Sequence, residues 1–283
     1  MRLQNKVAII TGADSGIGNA IALQMAHEGA AVTIDYIGPP DNAARLVQQI
    51  AGAGGKALAV QADVTKADQV QSLIAQTVQA FGRLDIMVNN AGIEEKHPFL
   101  EMPLEVWTKV IAVNLTGPWL GSQLAAQQMV KQGAGGRIIN ISSVHEDLPM
   151  PTNAPYCAAK GGLRMLMRTI AVELAPHKIT VNNIGPGAID TPMDAPLKQH
   201  PELMKELLAE IPLGRMGQPE EVAELAVYLA SDAAAYVTGE TYFIDGGMLR
   251  QSGSLYGTPL GRVTIRPSTS SATGRWVCRR RCP

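Results

Sequence analysis

The amino-acid sequence predicts an α/β protein built as a single doubly wound parallel sheet of about seven strands, with helices on both faces. Short apolar runs alternate with longer amphipathic segments as far as residue 247, and glycine or polar residues follow most of the apolar runs. Alternating strand and helix signals are typical of a parallel sheet covered on both sides. No change of composition divides residues 1–247, so we predict one domain there.

Each predicted strand is a short apolar run bounded by turn residues, as expected for strands buried inside a parallel sheet. The first, VAII, precedes a glycine-rich turn, and the last precedes the sequence Asp-Gly-Gly. The predicted strands cover residues 7–10, 31–35, 56–60, 84–88, 137–141, 180–184 and 241–244.

The predicted helices fill the intervals between these strands. The first ends at Gly29, and the longest, over residues 103–131, opens on a proline, which is favoured in the first helical turn. Residues 193–210 are rich in Met, Leu and charged side chains and are bounded by prolines, so we predict a substrate lid near 190–215. Further helices are predicted at 41–53, from near Lys66, around Tyr156 and at 219–230.

The turn after the first strand reads TGADSGIG over residues 11–18, with the spacing Gly-x-x-x-Gly-x-Gly. Glycines between a strand and a helix let the backbone approach a pyrophosphate at the helix N-terminus. The sequence therefore predicts a dinucleotide site at this turn. The alternative is a tight turn that binds no ligand.

The end of the second strand bears on the choice between NAD and NADP. An acidic side chain there accepts a hydrogen bond from the adenosine ribose and repels a 2′-phosphate, and Asp35 can take this role, one position from the ideal place. Ser15, Tyr36 and Ile37 are not basic and offer no partner for a phosphate. We therefore expect NAD, with NADP as the alternative.

Polar residues also follow the third and fourth predicted strands. Asp63 either meets an adenine amino group or caps the next helix, and spacing alone favours the cap. Residues 89–92, Asn-Asn-Ala-Gly, lie where open α/β sheets bind ligands, although such amides also satisfy buried backbone groups. Asn114 interrupts an apolar helix face, so it is either a structural bridge or part of a proton path.

Tyr156 and Lys160 stand four residues apart at the start of a predicted helix, so their side chains leave the same face. Ser143 closes the fifth predicted strand thirteen residues before Tyr156. An ammonium beside a phenol lowers the pKa of the phenol from about 10 toward neutrality, which suits it to proton transfer with an alcohol or carbonyl. Such pairs also arise by chance on solvated helices, so the prediction depends on the preceding motifs.

Charge and composition narrow the function classes. Seven of the 24 basic residues are arginines after Asp245, where no acid occurs, so the rest of the chain carries 17 basic groups (24 minus 7) against 25 acidic groups. This acidic body argues against nucleic acid as a partner. No apolar run approaches a membrane-spanning length, no signal-peptide pattern precedes the first strand, and three cysteines form no disulfide framework. We predict a cytoplasmic protein without a metal site.

The motifs described so far are residues 11–18, 89–92, Asn114, Ser143, Tyr156 and Lys160, and residues 186–191 add a further one. In their order and spacing, over most of residues 6–247, they resemble the short-chain dehydrogenase/reductase family. The resemblance implies a Rossmann-type fold and a homotetramer in which the helices holding Asn114 and Tyr156 pack between subunits. It implies that Tyr156 is the general base, that Lys160 lowers the tyrosine pKa, that Ser143 binds the reacting oxygen and that Asn114 supports a water chain. It also implies cofactor contacts at Gly12, Ser15, Gly16, Ile17, Gly18, Asp35, Asp63, Val64, Asn90, Ala91, Gly92, Tyr156, Lys160, Pro186, Gly187, Ile189 and Thr191.

Within that family the chain is most similar to bacterial glucose 1-dehydrogenases, chiefly through Ser-Val-His-Glu at 143–146 and Gly-Ile-Glu at 92–94. The resemblance implies oxidation of a sugar such as glucose to its lactone, with Glu94, Ser143, His145 and Glu146 near the substrate. The alternative is that His145 and Glu146 are loop residues that cap or face solvent. A 3-oxoacyl thioester or small-ketone reductase is the alternative, and a non-catalytic cofactor-binding protein is the third possibility.

Two features depart from these dehydrogenases. They tend to carry a basic residue at the position of Ile37, which places NADP use in doubt. They also end soon after Asp-Gly-Gly, whereas this chain continues through residues 248–283, a basic stretch rich in Ser, Thr and Gly. We predict that this tail is poorly ordered, and a frameshifted or read-through end is one hypothesis for its origin.

Overall fold

A computed structural model describes residues 1–192 and 199–250 and contains a seven-stranded sheet in the order β3-β2-β1-β4-β5-β6-β7. Every neighbouring pair of strands is parallel. The strands are β1 (Val7–Ile10), β2 (Ala31–Tyr36), β3 (Lys56–Gln61), β4 (Ile86–Asn89), β5 (Gly136–Ile141), β6 (Ile179–Pro186) and β7 (Thr241–Ile244). The predicted doubly wound parallel sheet is confirmed.

Helices cover both faces of this sheet, and alternate strand residues feed two separate cores. On one face Ile10, Val32 and Val88 pack with α1, α2 and α8, whereas on the other Ile9 and Met87 pack with α3, α5 and α6. The helices are α1 (Gly16–His27), α2 (Asp41–Gly52), α3 (Ala67–Phe81), α4 (Leu104–Ile111), α5 (Gly117–Gln132), α6 (Ala154–Leu174), α7 (Pro201–Ala209) and α8 (Pro219–Ala230).

The strand order reverses between β1 and β4, which opens a crevice at the carboxyl ends of these two strands. Ligands of open α/β sheets bind at such a switch point. The glycine-rich turn follows β1, and residues 90–92 follow β4, so the topology brings these two predicted segments together.

The long helix predicted over residues 103–131 is helical without a break from Leu104 to Gln132, and a π-helical turn at Ala112–Thr116 divides it into α4 and α5. Two local features account for this turn. The Asn114 side chain donates to the Val110 carbonyl at 3.0 Å, and Pro118 has no N–H with which to bond the carbonyl of residue 114. Single π-turns of this kind occur frequently at functional sites.

Part of the predicted lid and nearly all of the predicted tail lie outside the described residues, namely 193–198 and 251–283. Within the lid, the described part forms α7, and Met248–Arg250 form a short 3₁₀ turn after β7. In the part of the chain that the structure describes, no helix is long and apolar enough to cross a membrane.

Candidate active site

The glycine-rich turn exposes the first backbone amides of α1 at the crevice. Gly12 and Gly16 adopt φ of +58° and +53°, a left-handed conformation that favours glycine. A Cβ on Gly18 would lie 2.4 Å from Asn90 Nδ2 and 2.6 Å from the Gly12 carbonyl oxygen, so only glycine fits there. Ser15 is the exposed N-cap residue, and Ile17 packs against the core beneath the turn. The helix start is therefore available to an anion such as a pyrophosphate.

The Asp35 carboxylate does not reach the ribose position predicted for it. Its side chain is buried, with the residue 2% exposed, and Oδ2 accepts a hydrogen bond from the Gly12 backbone N–H at 3.3 Å. Burial, reinforced by the charge of Asp14 and opposed by backbone N–H donors including that of Gly12, raises the pKa of Asp35 to about 7. The predicted contact of Asp35 with the ribose is therefore wrong: the residue points inward and holds the glycine-rich turn, while Tyr36 and the exposed Ile37 form the outer end of β2.

The polar segment after β4, residues 90–92, is hydrogen-bonded to the glycine-rich turn. Thr11 Oγ1 accepts from the backbone N–H groups of Asn90 and Ala91 at 2.9 and 3.0 Å. The Asn90 side chain donates to the carbonyls of Thr11 and Gly12 at 2.8 and 3.0 Å. These bonds hold the two edges of the crevice at a fixed separation, which a dinucleotide site requires.

Val64 lies against the start of α5, and Asp63 precedes it in the turn after β3. Asp63 Oδ1 accepts from the backbone N–H and the hydroxyl of Thr65 at 2.9 and 2.7 Å, whereas α3 begins after Lys66 and has no side-chain cap. The alternative that Asp63 caps this helix is therefore wrong, because the carboxylate closes the preceding turn instead. Val64 is buried against Gly117, where an added Cβ would lie 3.0 Å from Val64 Cγ2.

Asn114 and Lys160 converge on Gly92. A Cβ on Gly92 would stand 2.8 Å from Asn114 Oδ1 and 4.0 Å from Lys160 Nζ. Asn114 is held from two sides, because its Nδ2 donates to the Ile93 carbonyl at 2.9 Å and its Oδ1 accepts from the Ile93 N–H at 3.2 Å. The π-turn thus fixes the amide next to the lysine.

Lys160 is buried beside Tyr156. Its Nζ donates to the Ile141 carbonyl at 2.8 Å and lies 5.4 Å from the centroid of the Tyr156 ring. Burial lowers the pKa of Lys160 to about 8, and the negative charges of Glu146 and Glu94 oppose this effect. A lysine in this state is a partly desolvated cation placed to act on the neighbouring phenol.

Ser143 stands at the end of β5, where it caps a 3₁₀ turn, Val144–Glu146, that the sequence did not predict. Its Oγ accepts from the His145 backbone N–H at 3.1 Å. The His145 ring packs edge-on to Tyr156, with 6.3 Å between the ring centroids, and its Nδ1 lies 3.2 Å from the Leu148 carbonyl. Because a carbonyl only accepts, Nδ1 carries the proton and a neutral His145 keeps Nε2 as an acceptor.

The two glutamates predicted near the substrate differ in their surroundings. Glu94 is half-buried, and its Oε2 accepts from Asn153 Nδ2 at 3.2 Å. The Glu146 side chain is fully buried between Ser142 and Arg164, so its predicted substrate contact is wrong. Glu146 faces inward because the 3₁₀ turn presents His145 and Glu146 to opposite sides.

The segment after β6 folds toward the glycine-rich turn. Pro186 ends β6, and the Gly187 N–H donates to the Ile244 carbonyl at 3.0 Å. Ile189 is buried and pairs with Gly217 in an isolated parallel bridge. Thr191 lies against Gly16, since a Cβ added there would be 3.6 Å from the threonine Cβ. Of these predicted cofactor contacts, Thr191 is therefore the one that lies beside the glycine-rich turn at the start of α1.

Sequence reasoning missed a row of buried amides beneath the site. Asn89 donates to Asn140 at 2.8 Å, and Asn140 donates to Asn183 at 2.9 Å, each on a neighbouring strand. The detectable signal was an asparagine near the end of each of three apolar strands. Among residues 1–192 and 199–250, no group of three or more His, Cys, Asp or Glu side chains is placed to hold a metal ion.

Comparisons with known proteins agree with this geometry. Residues 12–249 match the family model described as enoyl-(acyl carrier protein) reductase. The chain is 43% identical over 248 residues to glucose 1-dehydrogenase 2 of Bacillus subtilis, covering 87% of this chain and 95% of that protein. It is 44% identical over 255 residues to 3beta-hydroxysteroid dehydrogenase 1 of Eggerthella lenta, covering 90% and 98% respectively.

Solved structures show the same architecture. A short-chain type dehydrogenase/reductase from Mycobacterium marinum superposes with a TM-score of 0.82 at 42% identity, covering 87% of this chain and 96% of that one. A gluconate 5-dehydrogenase from Burkholderia cenocepacia, in complex with NADP and tartrate, gives a TM-score of 0.84 at 36% identity, covering 88% and 97%.

Proposed function

The chain belongs to the short-chain dehydrogenase/reductase family of oxidoreductases, and we propose that it oxidises a CH–OH group of a small polyhydroxylated substrate with NAD(P) as the cofactor. Glucose, oxidised at its anomeric hydroxyl to the lactone, is the leading candidate substrate. The relative from Bacillus subtilis, a glucose 1-dehydrogenase, supports this choice.

The observation that carries the proposal is a pair of acceptors near the Tyr156 and Lys160 side chains, His145 beside the phenol and Glu94 acting on the lysine. His145 packs edge-on to the phenol and keeps Nε2 as an acceptor in its neutral form, and the Glu94 carboxylate approaches from the segment after β4. Acceptors recognise hydroxyl donors, and a site built to hydrogen-bond hydroxyls strongly rejects analogues that lack them. A sugar supplies several hydroxyls at once, so it satisfies both side chains.

The protein supplies the proton transfer. Tyr156 takes the proton of the substrate hydroxyl, Ser143 donates to the reacting oxygen, and the Lys160 ammonium favours the phenolate. Asn114, held by the backbone of Ile93, supports the water chain to Lys160. A nicotinamide cofactor, when bound, would supply the hydride acceptor for this oxidation.

The crevice fits a dinucleotide. Gly18 packs directly against Asn90 and the Gly12 carbonyl, which holds the glycine-rich turn close to the segment after β4, and the N-terminus of α1 offers backbone N–H groups to a pyrophosphate. Gly12, Ser15, Gly16, Ile17 and Gly18 would hold the pyrophosphate, Asp63 and Val64 the adenine, and Asn90, Ala91 and Gly92 the ribose region. Lys160, Pro186, Gly187, Ile189 and Thr191 would hold the nicotinamide end.

We favour NAD over NADP as the cofactor, for a different reason from the predicted ribose contact of Asp35. The outer end of β2 presents Tyr36 and Ile37, which carry no charge, and Asp14 and Asp35 place acidic groups behind it. None of these four side chains is a cation that could bind a 2′-phosphate. NADP is the alternative, because a similar gluconate 5-dehydrogenase was solved with NADP.

A small-ketone or 3-oxoacyl thioester reductase is the second candidate function. The reductive reaction would use the same four residues, Asn114, Ser143, Tyr156 and Lys160. The family model that residues 12–249 match is described as enoyl-(acyl carrier protein) reductase, which supports a thioester as the substrate. The presence of both Tyr156 and Lys160 argues against a non-catalytic cofactor-binding protein.

The test is the rate of NADH and NADPH formation with glucose at matched cofactor concentrations. Turnover with glucose supports the sugar assignment, and faster turnover with NAD than with NADP supports the cofactor assignment. No turnover with glucose or gluconate, together with reduction of acetoin or a 3-oxoacyl thioester, would replace the sugar proposal by the second candidate.

A further inference from the structure

Glu146 is a buried carboxylate outside the substrate pocket. Its side chain is 0% exposed, and its Oε2 accepts from Ser142 Oγ at 2.5 Å and from Asn183 Nδ2 at 3.5 Å. Its Oε1 lies 3.5 Å from Arg164 Nε, a residue of α6 one turn beyond Lys160. Burying a carboxylate costs free energy unless partners compensate it, so this arrangement requires an explanation.

The row of buried amides ends at this carboxylate. Asn89 donates to Asn140, Asn140 donates to Asn183, and Asn183 donates in turn to Glu146. Each amide therefore presents its donor end toward the next member and finally toward Glu146. Aligned dipoles of this kind favour negative charge at the end of the row.

Glu146 and Lys160 are bonded to adjoining residues at the end of β5, because Lys160 Nζ donates to the Ile141 carbonyl and Glu146 Oε2 accepts from the Ser142 hydroxyl. The charged or titratable groups that act on Lys160 are Tyr156 on the same helix, Glu94 from the segment after β4 and Glu146 from the 3₁₀ turn after β5. Glu146 is the larger of the two negative contributions, and both oppose the effect of burial, which lowers the pKa of Lys160 to about 8. Around Glu146 itself, Arg164 faces it from α6, while His145 and Asp147 flank it in the chain.

We propose that Glu146 is a positioning residue that keeps Lys160 protonated and, through Lys160, sets the pH range in which Tyr156 exchanges a proton. The carboxylate needs no contact with substrate or cofactor for this role. The proposal rests on the assignment of Tyr156 as the proton acceptor but not on glucose as the substrate.

The primary test is the ultraviolet titration of tyrosinate in cofactor-free protein. Subtracting the titration of the matching Tyr156→Phe variant isolates the phenol of Tyr156. In Glu146→Gln, one of the two negative charges that oppose the effect of burial on the pKa of Lys160 is lost. The Lys160 ammonium then loses its proton at lower pH, and the Tyr156 phenolate loses its cationic partner. We expect the Tyr156 midpoint to rise by roughly one pH unit.

Three comparisons show whether the effect runs through Lys160. Glu146→Asp keeps the charge and should hold the midpoint near that of the unmodified protein. Glu173→Gln removes an exposed carboxylate from the same helix, α6, and should change nothing. In a Lys160→Met background the Glu146→Gln change should no longer raise the midpoint, because the coupled partner is gone.

Two results would overturn the proposal. A midpoint that stays or falls in Glu146→Gln means that the carboxylate does not act through Lys160, since direct repulsion of the phenolate by Glu146 has the opposite sign. A rise of the same size in the Lys160→Met background leads to the same conclusion. If Glu146→Gln fails to fold, Glu146→Asp carries the test: a rise of about one unit despite the retained charge contradicts the proposal.

These titrations also separate this proposal from the substrate assignment. If the protein does not oxidise glucose but shows the expected midpoints, the role of Glu146 stands and the sugar assignment fails. If the protein oxidises glucose but Glu146→Gln leaves the Tyr156 midpoint unchanged, the sugar assignment stands and the role of Glu146 fails. As a kinetic check with the best substrate, the acid limb of the pH profile of kcat/KM should move upward in Glu146→Gln by the same amount as the titration.

Discussion

Lys160 Nζ lies 5.4 Å from the centroid of the Tyr156 ring while it donates to the Ile141 carbonyl at 2.8 Å. The helix spacing of four residues brings the two side chains to one face, and the β5 carbonyl fixes where the ammonium stands. The lysine is therefore anchored to the sheet, so its charge stays beside the phenol. This relationship makes the proton-transfer role of Tyr156 directly testable.

We expect Tyr156→Phe to lower kcat with the best substrate by about 100-fold or more, because positioned proton transfer contributes about that much. Cofactor affinity should change little, since the ring and its packing remain. The measurement is kcat together with cofactor binding followed by fluorescence. Tyr236→Phe, at a fully exposed tyrosine, is the matched control and should retain activity. Wild-type kcat in Tyr156→Phe would rule out the assignment.

Gly18→Ala should weaken cofactor binding and reduce the free energy of unfolding. The new methyl group would meet Asn90 Nδ2, the Gly12 carbonyl and Ala13 Cα, all within 2.9 Å, so the turn must shift. We expect cofactor affinity to fall by about tenfold or more, a loss of about 1.4 kcal/mol. Gly52→Ala, at a helical glycine with open space around it, is the control and should bind normally. Equal affinities in the two variants would contradict the role of the turn.

The sheet and its order of elements followed from the sequence because apolar runs and glycine turns are local signals. The predicted contacts of Glu146 and Asp35 were wrong for a different reason. Which way a side chain points after a strand depends on one residue of register and on short turns, such as the 3₁₀ turn at Val144–Glu146. The π-turn around Asn114 depended on Pro118 and on the bond from the Asn114 side chain to the Val110 carbonyl, and the apolar periodicity of a helix reports neither.

Asp35 predicts a pH-dependent stability. The folded protein holds this carboxyl proton up to about pH 7, whereas the unfolded chain releases it near 3.8. Between these values the folded state binds more protons, so this group's contribution to stability is present below pH 3.8 and is lost as the pH rises to about 7. At pH 8 the free energy of unfolding of Asp35→Asn should therefore exceed that of the unmodified protein by roughly 1–4 kcal/mol. At pH 4 the two free energies should differ little.

The measurement is urea unfolding at several pH values between 4 and 8. Glu202→Gln, at an exposed acid on α7, is the control and should follow the unmodified protein throughout. A stability difference between Asp35→Asn and the unmodified protein that does not grow with pH would contradict the raised pKa of Asp35.

Ile37→Arg should shift the cofactor preference toward NADP. Ile37 is 67% exposed at the outer end of β2, so an arginine there has room to reach a 2′-phosphate. We expect kcat/KM with NADP to rise by about tenfold or more, the scale of one charge-assisted contact, with a smaller change for NAD. Ile37→Gln matches the loss of the apolar side chain without the charge and serves as the control. An equal gain in NADP use by both variants would show that charge is not the cause.

The exposed apolar side chains of α5 and α6 predict an assembly of several subunits. Met165 and Val172 are 61% and 77% exposed on α6, and Trp119 is exposed on α5. Apolar side chains grouped on neighbouring helices mark interaction surfaces, and family resemblance implies a tetramer. By size-exclusion chromatography with light scattering we expect about four times the 30.0 kDa chain mass. Val172→Glu places a charge in this interface and should lower the mass, whereas Ile37→Glu, at an exposed apolar residue just after β2, should not. A monomer for the unmodified protein, or an unchanged mass for Val172→Glu, would show that this face is not the interface.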